Sequence, residues 1–177
     1  MKALNIIFTL NDKKIEVHHK MLTTILDYTP DIKENKQIFE DILSINNWRA
    51  ISTIAHYDNL SNKAVKKLLK SDRHGIHTNL LRNKTIRQRL THKQIINIIN
   101  LNNPIHCEEI ASNLSDFKKA NKKKLAKILS QHTDPYVKYK LLLCNHKKLS
   151  IKVLKRLCKD EDPAVVSEAC RYINLRK

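Results

Sequence analysis

Leu149-Ser150-Ile151-Lys152-Val153-Leu154-Lys155-Arg156-Leu157-Cys158-Lys159 decides the fold, because it is written twice. Eighty-nine residues upstream, Leu60-Ser61-Asn62-Lys63-Ala64-Val65-Lys66-Lys67-Leu68-Leu69-Lys70 matches it without a gap, apolar on apolar and basic on basic. A third copy starts at Leu90-Thr91-His92-Lys93, where Ile95, Ile98 and Ile99 take the places of Val65, Leu68 and Leu69. A fourth, less regular copy is Lys124-Leu125-Ala126-Lys127-Ile128-Leu129. Working outward, a punctuation mark recurs at Asn46-Asn47-Trp48, His74-Gly75-Ile76, Pro104-Ile105, Asp134-Pro135-Tyr136-Val137 and Asp162-Pro163-Ala164-Val165, with spacings of 28, 30, 31 and 28 residues. A fixed period of this size signals stacked copies of one supersecondary unit.

Each unit reads as two helices. The first opens on a Ser, Thr or Asn able to accept a backbone N–H bond, then carries apolar residues at helical spacing, as Val65, Leu68 and Leu69 do. Asp-Pro or Asn-Pro precedes the second, because the residue before proline avoids the α region while the ring is tolerated in a first turn. A second apolar stripe follows: Val137, Leu141, Leu142 and Cys144 in one copy, Val165, Ala169, Cys170 and Ile173 in another.

Leu-Ser, a helix, an acidic residue with Pro and Val, and a helix ending near Asn145 resemble the variant leucine-rich and HEAT-like repeats that build α-solenoids. The likeness covers roughly residues 33 to 177 and is best in the last two copies. It implies an all-α fold: a short right-handed α-solenoid of about five two-helix repeats over 33–177, read as one continuous domain. It implies a way of presenting surface and no particular reaction. Some variant repeat proteins carry an N-terminal iron–sulfur cluster, but no Cys precedes Cys107 here, so that feature is not carried over.

Residues 1–32 read as a distinct cap. Ile6, Phe8 and Leu10 alternate, Asn11-Asp12 supplies a turn, and Ile15 and Val17 alternate again, which suits a small β-hairpin. Ile6, Ile7 and Leu10 equally fit one helix face, and Lys20–Tyr28 reads as helix. Composition agrees with stacked helices: one glycine and four prolines in 177 residues leave little material for tight β-turns. The sequence shows neither a run of about 18 apolar residues for a membrane span nor a secretion signal, and a cytoplasmic location is expected.

The formal charge of +17 is the main functional clue. Lys, Asn and Ile make up 64 of the residues, a skew that AT-rich coding alone produces, yet such a bias acts along the whole chain. Residues 1–58 hold 7 Lys/Arg against 8 Asp/Glu, whereas 59–177 hold 27 against 9. Lys63, Lys93, Lys124 and Lys152 share one repeat position, and Lys66, Lys127 and Lys155 share another. Stacked helices would bring such positions within about 8–10 Å of one another, where like charges repel and an acidic partner removes the cost. Arg73, Arg82, Arg87 and Arg89 thicken the field.

The leading expectation is a non-catalytic module presenting Lys63, Lys66, Lys67, Arg73, Lys93, Lys124, Lys127, Lys152, Lys155 and Arg156 to a nucleic-acid backbone, DNA or RNA, or a similar polyanion. The signal is of a phosphate type, which positions without specifying a sequence. Against it stands the plain alternative that lysine is a good helix former on a solvated face. A protein scaffold, gripping an acidic or other protein partner with the concave helix faces, is the second expectation.

No catalytic residue, metal site or cofactor is assigned. Cys107, Cys144, Cys158 and Cys170 lie singly, and the last three fall where other copies hold Ala55, Leu69 and Leu142, so each is expected as a buried apolar residue. His18-His19 and His74/His77 lack a third ligand and read as exposed histidines on a basic surface. Glu108-Glu109 and Asp160-Glu161-Asp162 are expected at inter-helix turns, where the macrodipole favours acids. Phosphate-cradling glycine motifs are absent. The third expectation is a HEAT-like DNA glycosylase, a class understood to set aromatic residues beside a carboxylate; here Trp48 aligns with Val137 and is expected to pack in the core.

Overall fold

The structure is a computed structural model that describes residues 5–10, 13–18, 21, 24, 26, 36–44 and 48–176. Those residues are mostly α-helical, and the chain divides into two compact units, Met1–Leu80 and Leu81–Lys177. The helix expected over Lys20–Tyr28 and the boundary expected at 32/33 fall largely outside the described residues.

In the first unit β1 (Asn5–Leu10) runs antiparallel to β2 (Lys13–His18), with Asn5 opposite His18 and Leu10 opposite Lys13. Helices α1 (Lys36–Ile42), α2 (Trp48–Ile54) and α3 (Asn62–Leu68) follow, and α4 (His74–Arg82) begins there. Each short helix is too small to persist alone and is held by its buried face. Phe39, Ala50, Ile54, Leu60, Val65 and Leu68 form that core. Tyr57 packs its ring 4.6 Å from Phe39 and donates its hydroxyl to the Leu26 carbonyl at 2.5 Å. Asn79 of α4 donates to the Ser52 carbonyl at 3.1 Å, fixing α4 on α2.

The second unit continues with α5 (Lys84–Arg89), α6 (His92–Ile99), α7 (Pro104–Ser112), α8 (Lys122–Leu129), α9 (Pro135–Asn145), α10 (Ile151–Leu157) and α11 (Pro163–Asn174). Short 3-10 turns lie at Leu114–Asp116 and His146–Lys148. Helix α6 packs on α7, α8 on α9 and α10 on α11, while α9 also lies against both α7 and α11.

Capping explains where these helices start. Ser61, Asn83, Thr91, Asn121 and Ser150 each accept a backbone N–H three residues on, and Thr91 completes a capping box with Gln94. Asn103, Asp134 and Asp162 cap the helices whose first residue is Pro104, Pro135 or Pro163. The backbone reverses before one of these through Asn102, whose φ of 52° is a conformation asparagine tolerates.

Polar side chains bridge the layers of the second unit. Asn145, buried at the end of α9, donates to the Ala111 carbonyl of α7 at 2.6 Å. Lys138 of α9 and Asp160 pair at 2.7 Å, with side chains only 11% and 12% exposed. Arg87 is buried and binds Asp116 at 2.7 Å, while its Nη1 donates to the Leu81 and Arg82 carbonyls, both at 2.7 Å. The guanidinium thus caps the end of α4, where free carbonyls favour a cation.

Three expectations are corrected. Cys107 is buried, but Cys144 is exposed and Cys158 and Cys170 are half-buried. Glu108 and Glu109 lie inside α7, where Glu109 pairs with Arg82 at 2.7 Å; Asp160-Glu161-Asp162 do precede α11, and Asp162 is its cap. His74 is exposed, as expected, whereas His77 is buried among the apolar side chains of α4.

Candidate nucleic-acid interface

Helix α10 shows how the sequence builds a basic face. Val153, Leu154 and Leu157 are buried, so the remaining positions of the helix point outward. Lys152, Lys155 and Arg156, with Lys159 in the turn just after the helix, follow the i, i+3, i+4, i+7 spacing that places side chains on one face. Together with Cys158 they line a shallow depression of about 670 Å³. Helix α3 in the first unit has the same construction. There Ala64, Val65 and Leu68 are buried, and Lys63, Lys66, Lys67 and Lys70 occupy the corresponding outward positions, all exposed.

Helix α8 is a partial copy. With Leu125, Ala126 and Leu129 buried, it keeps Lys124 and Lys127, while Ile128 and Gln131 stand where α10 has Arg156 and Lys159. Helix α6 breaks the row. It buries Ile95 and Ile98 as α3 buries Val65 and Leu68, so the positions that match Lys63, Lys66, Lys67 and Lys70 hold Lys93, Ile96, Asn97 and Asn100. Lys93 is exposed, two residues after its N-cap as Lys63 and Lys152 are after theirs. Thr91 to Asn100 and Asn121 to Ser130 span one more position than Ser61 to Leu69 or Ser150 to Cys158, and in α8 the buried stripe stands one place further from the cap than in α3 or α10.

Counter-charge is scarce around these lysines. Among the described residues the ion pairs join Arg82 to Glu109, Arg87 to Asp116, Lys138 to Asp160 and Arg171 to Glu168, and none involves the ten expected contact residues. Asp134 and Asp162 are engaged as caps. Hydrogen bonds to Arg171 and Tyr172 hold the Glu168 carboxyl below its ordinary range. Two of the ten are tethered: Lys67 donates to the Leu43 carbonyl at 2.6 Å, and Arg156 to the Ser130 hydroxyl at 3.4 Å. Arg82 and Arg87 are spent on carboxylates, and burial pulls the Arg89 guanidinium below its ordinary value, so these arginines add little to the outer field expected of them.

Trp48 overturns its expectation. Its side chain is 51% exposed rather than packed in the core, with the Arg49 and Arg73 guanidinium carbons 5.5 and 5.4 Å from the ring centroid. It stands at the start of α2, on the rim of a pocket of about 480 Å³ whose lining also includes Leu43, Ile51, Lys67, Asp72 and Arg73. Burial of Trp48 was the objection to the glycosylase reading, and that objection does not hold in the structure.

No family model matches the chain, and no curated protein or solved structure matches it.

Lys70 and Lys159 complete the two four-cation faces, although the sequence reading leaves them out of the contact set. Both end the duplicated stretch, so a helical count carried one turn further would have found them. Lys122, Lys123 and Lys148 surround a second cavity of about 240 Å³ floored by Leu149 and Val153. No repeat position announced that cluster, since Lys122 and Lys123 come from the start of α8 and Lys148 from the turn before α10. Among the described residues no helix is long and apolar enough to cross a membrane.

Proposed function

We propose that this chain binds a nucleic-acid backbone, or a polyanion of the same charge density, through basic outward faces on its helices, and that its helix pairs belong to a right-handed HEAT-like solenoid. The observation that carries the reading is the recurrence of one four-cation set, at identical spacing from the buried residues, on α3 and on α10. Mutual repulsion within such a set is relieved when phosphates displace its counterions. The absence of ion-pair partners for these lysines among the described residues supports the same view.

Salt dependence is the test. If the four cations of α10 each meet one phosphate of a duplex, they contribute a log–log slope of about 3.6, which weakens binding about 150-fold between about 50 and 200 mM salt. Lys152→Glu with Lys155→Glu, and separately Lys63→Glu with Lys66→Glu, should each cut affinity and flatten that slope. Binding that ignores salt, or that survives both pairs unchanged, refutes the proposal.

One observation favours the scaffold reading as well. Ile105 of α7 and Tyr136 and Leu143 of α9 are 52%, 49% and 39% exposed on two helices that pack together. A partner captured with unaltered strength by Lys→Glu variants, but lost with Tyr136→Ala and Leu143→Ala, would move the assignment to protein binding.

A further inference from the structure

The Trp48 pocket lies within the first unit and is not explained by backbone binding alone. An indole is costly to leave in water, yet Trp48 is 51% exposed at the mouth of a cavity, with the Arg49 and Arg73 guanidiniums near its ring. The cavity of about 480 Å³ falls in the range of small-ligand sites. Its lining is divided: Leu43, Ile51, Leu68 and Ile76 are apolar, while Lys67 and Arg73 bring positive charge to the same rim. The Arg73 guanidinium lies 5.4 Å from the ring centroid and joins no ion pair among the described residues.

A flat apolar ligand carrying a negative group fits this division, since it would stack on the indole over the apolar floor and leave its charge to Lys67 and Arg73. A simple anion would leave the exposed part of the ring in water. An aliphatic chain would waste the cations. An unpaired nucleotide satisfies both requirements, because every base offers a π-face and every nucleotide a phosphate. Lys67 and Arg73 are also where the pocket meets the α3 face, whose Lys63, Lys66 and Lys70 could track the adjoining backbone.

We infer that the pocket formed by Trp48, Lys67 and Arg73 takes one unpaired base of a single strand, stacked on Trp48, an inference that rests on the backbone-binding proposal and narrows it to single-stranded or locally opened nucleic acid. Asp72, on the same rim, disfavours a second phosphate there and limits the site to one nucleotide.

Trp48 is the only tryptophan of the chain, so its fluorescence reports this pocket alone. The full-length protein is titrated at low salt with a short oligothymidylate, with a duplex of equal length and with polyglutamate, while binding is followed independently by anisotropy of labelled probes. The single strand should quench Trp48, and the duplex should bind without comparable quenching. Trp48→Ala should weaken single-strand binding roughly five- to 150-fold and leave duplex binding within about twofold, whereas Trp48→Phe retains most of the affinity. Arg73→Ala is the second variant, expected to reduce single-strand affinity with the ring in place and the helical signal unchanged. Salt-sensitive binding of both nucleic acids without quenching, and without loss in Trp48→Ala, overturns the base pocket and leaves backbone binding intact. Quenching by polyglutamate as deep as by oligothymidylate also overturns it, because no base is then needed. If neither nucleic acid binds at low salt, both proposals fall.

Discussion

Asp116→Ala should destabilise the second unit far more than removal of an ordinary surface carboxylate. Its partner Arg87 has a side chain only 7% exposed, and two of its nitrogens converge on Asp116 Oδ2 at 2.7 and 3.1 Å. Without the carboxylate the guanidinium keeps its bonds to the Leu81 and Arg82 carbonyls but loses its only counter-charge among the described residues. Breaking a buried pair in this way costs about 3–5 kcal/mol; Asp116 is itself 22% exposed, so water offsets part of the loss and about 3 kcal/mol is expected. For a unit of this size each kcal/mol moves Tm by about 4–8 °C, which gives a drop of about 12–24 °C by far-UV circular dichroism. Arg87→Met combined with Asp116→Leu removes both charges and should recover at least about 1 kcal/mol over Asp116→Ala. The same double variant should leave the salt slope of nucleic-acid binding unchanged, since Arg87 faces inward. A Tm loss below about 4 °C in Asp116→Ala, or a flattened salt slope in the double variant, would refute this placement of Arg87.

Maleimide labelling followed by mass spectrometry should modify Cys144 first and Cys107 only on unfolding, given their exposed and buried positions. Burial raises the Cys107 thiol to about 11, with Asp134 and Glu108 adding to it, and burial with a bond to Cys170 raises Cys158 to about 11. An unfolded thiol titrates near about 8.5–9, so the folded state retains protons that the unfolded state has released. Stability is therefore complete below about pH 9 and declines toward about pH 11, and Cys107→Ala should flatten that alkaline limb in denaturant titrations. Asn145→Ala removes the 2.6 Å bond to the Ala111 carbonyl and should cost about 1–3 kcal/mol, seen as a lower denaturation midpoint with an unchanged m-value.

Helix positions were legible because their signals are local. Ser61, Thr91 and Ser150 announce starts, Pro104, Pro135 and Pro163 announce second helices, and the apolar spacing of Val65 and Leu68 or Leu154 and Leu157 marks the buried stripe. Rotational register was harder. A helix one residue longer between its caps looks alike at its N-terminus, yet α8 buries Leu125, Ala126 and Leu129, one place further from its cap than Ala64, Val65 and Leu68 of α3 stand from theirs. Trp48 and Arg87 were misread for the reverse reason. An aromatic ring is assumed buried and an arginine exposed, but long-range partners decide each case. Asp116 lies 29 residues from Arg87, and Arg73 lies 25 from Trp48.

Whether the lysines reflect coding bias or selection for charge turns on where bias had a choice. AT-rich codons serve asparagine and isoleucine as readily as lysine, and α6 shows the outcome when nothing selects among them: its matching positions hold Lys93, Ile96, Asn97 and Asn100. At the matching positions of α3 and α10 all eight residues are Lys or Arg. Under indifferent bias the two sets would resemble α6, and each like-charged i, i+4 pair in them carries a cost of a few tenths of a kcal/mol to the isolated helix. A sequence that keeps this cost twice, and spares it in α6, places the charge where a polyanion can reach it. Single Lys→Gln changes in α10 should therefore raise the stability of the free protein slightly while weakening its hold on nucleic acid. A set of such variants that lost stability and kept its binding would return the lysines to the plain reading of a solvated helix face.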